Sequence, residues 1–375
     1  MIFSRVLILF IACSLLTGCW DRRELQDTVF VVALGVDYEE GQYTVYSQLI
    51  DFNSVAKHET GAKVAESTWI GKATGSNPFV AFQTLNQLTS QQQLYLGQVS
   101  ALILTSRALE QNVEDILEAL YRYRELRYNL WIFGSEEPIT SLLTSNSLLG
   151  LSPELTVIHN PKPASAKVAW TQPVNVRQFL KAYREPGETA FIPSLSINKL
   201  WRTKDKKEDV AYIDGLYTFY QKKYKKKFLL SKVEGIRWMN KPSQEILLQV
   251  NNPQFQAAFL VRYTHRRVNW NDANGQLQYI LDLDVKGSME MANGPFTKEE
   301  LRAAADNAIR NEITETFQLG QKSQTDLLNL GKELYKHDLP KWREIYRTPE
   351  VKPTLKVNIH LFLEHSGTYK ASRDE

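Results

Sequence analysis

The residue best placed for chemistry is Cys19. It follows Leu16-Thr17-Gly18 at the end of an N-terminal apolar run, Val6 to Leu15, with Arg5 just ahead of it. A positive n-region and a short apolar h-region make an export signal, too short to remain in a bilayer as a spanning helix. Leu-Thr-Gly-Cys is the bacterial lipoprotein pattern. The thiol is expected to become a diacylglyceryl thioether, with cleavage before Cys19, so that residues 1–18 are a lipoprotein signal peptide. Two acyl chains, each contributing about 0.8 kcal/mol per buried methylene, anchor stably where one binds marginally. The mature chain is thus expected as a lipid-tethered domain on the outer face of a bacterial membrane.

Other chemistry is sparse. Cys13 leaves with the signal, so Cys19 is the mature chain's only cysteine, and disulfides, zinc clusters and cysteine catalysis drop out. The six histidines lie at 58, 159, 265, 337, 360 and 365. His360 and His365 are the closest pair, but their odd separation puts them on opposite faces of a strand. No His-Glu-x-x-His, Gly-x-Ser-x-Gly or phosphate-cradling Gly-Lys-Ser/Thr occurs. Gly71-Lys72-Ala73-Thr74-Gly75 lacks the loop spacing and reads as a strand ending in a turn. Asp282 and Asp284 share a strand face, as a general acid/base pair would, yet neighbouring solvent-facing carboxylates are commonplace. Lys222-Lys223-Tyr224-Lys225-Lys226-Lys227 is a basic cluster in which each lysine could add about 1 kcal/mol of attraction to an anionic leaflet; it reads as a solvated hairpin tip. No catalytic residue, cofactor or metal site is expected. A formal charge of +3 with both signs interspersed argues against nucleic-acid binding. No second apolar run reaches membrane length, which leaves Cys19 as the membrane attachment.

The elements around these residues form two unlike halves. Val29 to Val36 is a continuous apolar run, read as a strand buried on both faces, with Tyr43 to Ile50 as its hairpin partner. A strand near 67–73, a helix from Asn77-Pro78, a buried strand at 98–105, a helix striped with Leu109, Val113, Ile116, Leu117, Leu120 and Tyr121, and a strand at 128–133 follow. This alternation implies an α/β layer with crossover connections. Residues 134–199 are proline-rich, with one helix near 174–183 and an extended stretch at 191–195. A charged, aperiodic run at 201–211 is the expected linker. The second half, 212–366, opens with a hairpin around the lysine cluster. Two long strands joined by Asn274-Gly275 follow, then a helix capped by Thr297 and Glu300 with Phe296 and Leu301 as staple. A second helix carries Leu327, Leu330 and Leu334, and a last strand has Leu355, Val357, Ile359, Leu361 and Leu363 inward. The fold class is α+β or mixed α/β, an elongated ectodomain of two to three domains. It comprises an N-terminal mixed sheet with crossover helices (19–200, one or two subdomains), a C-terminal antiparallel sheet with grouped helices, and a tail at 367–375.

The motifs resemble one family. Cys19-Trp20-Asp21-Arg22-Arg23-Glu24-Leu25, followed by Leu34-Gly35-Val36-Asp37, is similar to the opening of the Ger(x)C family, the C-subunit lipoproteins of spore nutrient-germinant receptors. The resemblance continues through Tyr95-Leu96-Gly97-Gln98, Arg127, Phe191-Ile192-Pro193-Ser194-Leu195, Gly215-Leu216 and Glu234-Gly235. Asp326-Leu327-Leu328-Asn329-Leu330-Gly331, with Trp342 beyond, resembles the family's Asp-x-hydrophobic-Gly-hydrophobic-Gly motif and its downstream Lys-Trp. Three departures stand out: no proline follows the strand at 43–50, Asn329 replaces a usual glycine, and lysines fill a hairpin that is more often a short Gly/Asp turn. The resemblance implies a non-enzymatic ectodomain in complex with integral A-type and B-type subunits in the spore inner membrane, and a response to small nutrients. Sensing is then expected in the membrane subunits. Trp20, Asp21, Arg22, Arg23 and Glu24 are expected to form a spacer and docking segment. A lipid-anchored solute-binding protein and a surface hydrolase are the alternatives; the first requires two similar lobes and a cleft, the second a nucleophile or metal set.

Overall fold

The computed structural model describes residues 28–49, 68–89, 93–145, 147–148, 153–168, 172–204, 206–239, 245–273, 276–347 and 352–365. The signal, Cys19, the segment 20–24, the Asn274-Gly275 turn and the tail all lie outside them. The first sheet has nine strands: β1 (Thr28–Glu39), β2 (Gln42–Leu49), β3 (Trp69–Gly75), β4 (Gln93–Tyr95), β5 (Ala101–Thr105), β6 (Trp131–Ser135), β7 (Ala190–Asn198), β8 (Val210–Tyr220) and β9 (Lys223–Leu229). Their order is β3-β2-β1-β5-β6-β7-β8-β9, with β4 alongside β1.

The apolar run in β1 is buried on both sides, as its lack of alternation requires. Leu34 and Val36 face one core and Ala33 the other. On the first face lie α1 (Pro78–Leu88), α2 (Ser106–Leu109), α3 (Val113–Leu120) and α6 (Val176–Arg184). The single helix expected to carry the stripe from Leu109 to Tyr121 is interrupted because Asn112 accepts from the Glu114 amide and caps α3 afresh. The second face is covered by α4 (Ile139–Leu143), residues Val157 and Ile158, and the segment through Leu230, Val233 and Ile236. α4 packs so closely that a Cβ on Gly35 would lie 2.4 Å from Ile139. A further helix, α5, spans Pro161–Val168. β1, β5, β6 and β7 run parallel, joined by the crossovers that the alternation implied.

Two expectations about the second half need correction. The lysine hairpin, read as its opening, belongs to the first sheet. β8 pairs antiparallel with β7 from Ala190↔Phe219 to Asn198↔Val210, and β9 pairs with β8. The charged run at 201–209 is the loop between adjacent strands of one sheet. The reason is packing: Tyr217 and Phe219 are buried in the first core, where Phe219 meets Phe179 edge-on at 5.4 Å between ring centres.

The second sheet runs β10 (Ile246–Asn251), β11 (Gln256–Ala273), β12 (Gln276–Asn293), β13 (Thr354–His365). One of its faces is covered by α7 (Lys298–Lys322), α8 (Leu330–His337) and α9 (Leu339–Arg347). Here the correction is that β13 pairs parallel to β12, from Gln278↔Thr354 to Met289↔His365. A chain that leaves β12, crosses the sheet as helices and returns beside it must come back in the same direction. α9 had no sequence expectation, and Leu327 precedes α8 instead of lying in it. The Thr297–Glu300 capping box forms as expected, with Glu300 N donating to Thr297 Oγ1 at 3.2 Å and Thr297 N to Glu300 Oε2 at 2.8 Å.

Candidate functional site at the seam between the two sheets

The loop from Gln324 to Asn329, between α7 and α8, carries the Asp326-to-Gly331 motif and joins the two halves. Asn329 has φ 52°, the left-handed region that favours glycine. Asparagine tolerates this geometry and adds an amide that glycine lacks. That amide reads the backbone of Thr189, just ahead of β7. Thr189 N donates to Asn329 Oδ1 at 2.6 Å and Asn329 Nδ2 donates to Thr189 O at 3.2 Å. Thr189 Oγ1 donates to Asp326 O at 2.8 Å, and Lys332 pairs with Glu188 at 2.6 Å. A Cβ on Gly187 would lie 2.5 Å from Tyr335, while Leu327 inserts into the core of the first sheet.

Asp326 organises the loop from within. Its Oδ2 accepts from Gly331 N at 2.5 Å, filling the cap position that Asn329, turned toward Thr189, leaves open at the start of α8. Burial pushes its carboxyl pKa up to about 6, against the opposing pull of the Gly331, Leu330 and Asn329 amides and of Arg266. A cavity of about 260 Å³ lies beside the loop, walled by both halves: Gln178, Thr189, Phe191 and Leu216 from the first, Met239, Arg266, Asn329 and Lys332 from the second. On the loop's other side a cavity of about 480 Å³ is lined by Lys225, Lys322, Lys352, Tyr279 and Phe317 among others.

Away from the seam, the opening motif is also built into a network. Asp37 Oδ1 accepts from Thr105 Oγ1 at 2.6 Å and Arg107 Nε at 3.1 Å, and Oδ2 accepts from Arg107 Nη2 at 2.5 Å. Burial alone would raise this carboxyl, but these bonds and the Tyr38 amide hold it below the usual range. His159, in the segment beneath the first sheet, has Nε2 3.0 Å from Gln48 Oε1 and Nδ1 2.6 Å from Ser100 Oγ, whose hydroxyl also reaches Val32 O at 3.1 Å. Enclosure lowers its pKa to about 4. The Ser100–His159–Gln48 line ties three chain segments that no sequence spacing connects.

These two groups give opposite pH dependences. Asp326, with a raised folded pKa, contributes stability that is complete below pH 3.8 and is lost as pH rises through about 6. His159, with a depressed one, contributes stability that is complete above pH 6.5 and is lost as pH falls through about 4. Each spans up to roughly 3 kcal/mol. Asp326→Asn is expected to abolish the decline toward neutrality and His159→Gln the decline toward acid. Urea unfolding between pH 4 and 7 measures both, and parallel curves for wild type and either variant would refute that group's role.

The structure disperses the remaining sequence candidates. Asp282 Oδ1 accepts from Asn358 Nδ2 at 2.8 Å, and Asp284 lies 3.7 Å from Arg267, both on the solvent side of the second sheet. Among the described residues no group of three or more His, Cys, Asp or Glu is placed to hold a metal. The lysine hairpin is more tied down than a solvated tip. Lys227 Nζ bonds Glu136 at 2.9 Å and Asp214 at 3.0 Å, Lys222 O accepts from Tyr183 at 2.9 Å, and Lys225 lines the larger cavity. Gln221 and Lys222 both have positive φ, 50° and 60°, as a two-residue hairpin turn requires. Changing Lys223, Lys225 and Lys226 together to Gln is expected to shift stability by no more than about 0.5 kcal/mol per site, since none makes an ion pair among the described residues. Salt-sensitive vesicle binding that vanishes in this triple variant would show a lipid contact instead.

Residues 21–197 match the family of spore germination protein N-terminal domains, and residues 214–367 match the spore germination B3/GerAC-like C-terminal family. The division between the two falls inside the first sheet, between β7 and β8. The chain is 23% identical over 373 residues to YfkR of Bacillus subtilis (strain 168), whose name assigns it provisionally to spore germination, covering 93% of this chain and 94% of that one. It is 20% identical over 381 residues to spore germination protein KC of the same organism, covering 94% and 92% respectively. The crystal structure of the GerBC protein superposes with a TM-score of 0.54 at 14% identity over 88% of this chain and 96% of that one, a likeness of fold. With both family halves present in order on one chain, and with the Asp326 and Asp37 motifs at the positions that hold its fold together, this protein belongs to the Ger(x)C family of spore germination proteins.

Proposed function

We propose that the chain is the lipid-anchored, non-enzymatic C subunit of a spore nutrient-germinant receptor. In this reading it is held by Cys19 on the outer face of the spore inner membrane, beside integral A-type and B-type subunits, and is needed for their assembly and for the germination response. The observation that carries the reading is the order of the parts. A lipobox ends at Cys19, the N-terminal family match begins at residue 21, and the C-terminal match runs to 367. Among the described residues no helix is long and apolar enough to cross a membrane, so attachment through Cys19 supplies what the helices do not. The two halves are unlike, a nine-stranded sheet and a four-stranded one, which disfavours a solute-binding protein with paired lobes.

The test is co-purification from spore membranes: integral subunits of a receptor should accompany this chain in fixed proportion. Eight residues separate Cys19 from Thr28, which keeps β1 within about 30 Å of the bilayer at full extension. Arg22 and Arg23 suit lipid phosphates or a partner's carboxylates, and Trp20 the interfacial layer. Replacing Asp21–Glu24 with Gly/Ser of equal length is therefore expected to reduce assembly with the membrane subunits while leaving lipidation intact. Unchanged recovery of the complex would reduce the segment to a tether.

A further inference from the structure

Arg266 occupies a place where the fold offers an arginine no reward. Along β11 the side chains of Thr264, Arg266, Val268 and Trp270 turn toward the helices, while His265, Arg267 and Asn269 are exposed on the other face. Among the described residues Arg266 makes no hydrogen bond and no ion pair; the charges it senses are those of Glu333 and Asp326, and burial depresses its pKa. Asp326 spends its carboxylate on the backbone amides at the start of α8, and Glu333 lies 3.8 Å from His337. Arg237, which is more deeply buried, has a carboxylate of its own in Glu312. Arg266 is half-buried, and a guanidinium drawn even partly out of water without a partner is costly.

Arg266 lines the 260 Å³ cavity at the seam. A planar fork of donors matches an oxyanion in bidentate fashion. The cavity's other charged groups, Lys332 and Glu188, are already paired and cancel. Among the charged groups lining the cavity only Arg266 has no paired opposite, the carboxylates of Asp326 and Glu333 lying outside the lining, which favours a monoanion over a dianion. Phe191, Met239 and Leu216 supply apolar wall, and the volume is at the low end for small-molecule sites. We infer that the seam cavity binds a small oxyanion through Arg266, and that a monocarboxylate with a short apolar body fits it best. Because Thr189 and Asn329 line the same space from opposite halves, the ligand bridges them and stabilises the joined arrangement. The inference goes beyond the receptor role and does not depend on lipidation or partners.

The experiment titrates the mature chain carrying Cys19→Ser with sodium propionate, inorganic phosphate or sodium chloride at matched ionic strength, following the melting temperature and, for propionate, binding heat. Propionate is expected to raise the melting temperature saturably where chloride does not. In Arg266→Met the apparent affinity is expected to fall about ten- to a hundred-fold, the range for losing hydrogen bonds to a charged group. Without ligand, Arg266→Met should stay folded, because the guanidinium it removes holds no hydrogen bond among the described residues. Arg266→Lys, which keeps the charge and loses the fork, should also bind more weakly. A phosphate response that exceeds propionate and disappears in Arg266→Met would keep the oxyanion site and replace the carboxylate. Equal responses to all three salts, equal responses in wild type and both variants, or no binding at all would overturn the inference, as would an Arg266→Met variant that unfolds while Arg266→Lys is unaffected.

Discussion

Cys19→Ala is expected to move the protein almost completely from the membrane fraction to the soluble one, with its fold unchanged. In the proposed reading the lipid attachment is a single one, at this thiol. Losing two acyl chains at about 0.8 kcal/mol per buried methylene removes far more binding energy than surface lysines at about 1 kcal/mol each could replace. Stability is expected to be unchanged, because the cores of the described residues are built from β1 onward. Membrane fractionation with mass spectrometry of the N-terminal peptide reads both halves of the prediction. A variant that stays in the membrane through a carbonate wash would refute the single-anchor reading.

The second large effect is expected within the C-terminal half. Glu312, on α7, accepts from Arg237 Nη2 at 2.5 Å, Arg237 Nε at 2.9 Å and Trp238 Nε1 at 2.7 Å. Arg237 is 5% exposed and also donates to Leu247 O at 3.1 Å, while Trp238 is wholly buried. This cluster fastens the 3-10 helix at Glu234–Met239 to α7, where Gly235 comes so close that a Cβ would lie 2.6 Å from Glu312 O. Glu312→Ala leaves a buried guanidinium and a buried indole N–H without their acceptor, so a loss of about 3–5 kcal/mol is expected. The double variant Arg237→Met/Glu312→Leu should recover part of that loss, because it removes the orphan charge while the Trp238 indole N–H still lacks its acceptor. Urea unfolding followed by tryptophan emission measures both variants. A loss below about 1 kcal/mol for Glu312→Ala would mean that the pair adds no more than a surface salt bridge does.

What could be read from the sequence is what local physics fixes. The unalternating run in β1, the Asn77 cap of α1, the Thr297–Glu300 box of α7 and the long β11–β12 pair all follow from neighbours within a few residues, and each stands where its pattern indicated. The mixed α+β class followed from the sum of such elements. Periodicity shows which face of a strand is buried but is silent on what buries it. That is why β8 could be paired only by the structure, which set it against β7, and why the parallel return of β13 beside β12 was not legible in advance.

The seam was hidden for the same reason. Thr189 and Asn329 lie 140 positions apart, and nothing in either neighbourhood signals the other. Asn329 was visible as a departure from glycine, but its φ of 52° and its grip on Thr189 required the fold. Arg266 left one faint trace: in β11 it takes a core-facing position that alternation would give to an apolar residue. By itself the sequence determined the family motifs and most of the elements, because each is written in contiguous residues. The tertiary structure decided the sheet partners, the clasp between the halves and the unpaired guanidinium beside it. Those depend on surfaces that meet only after the chain has folded.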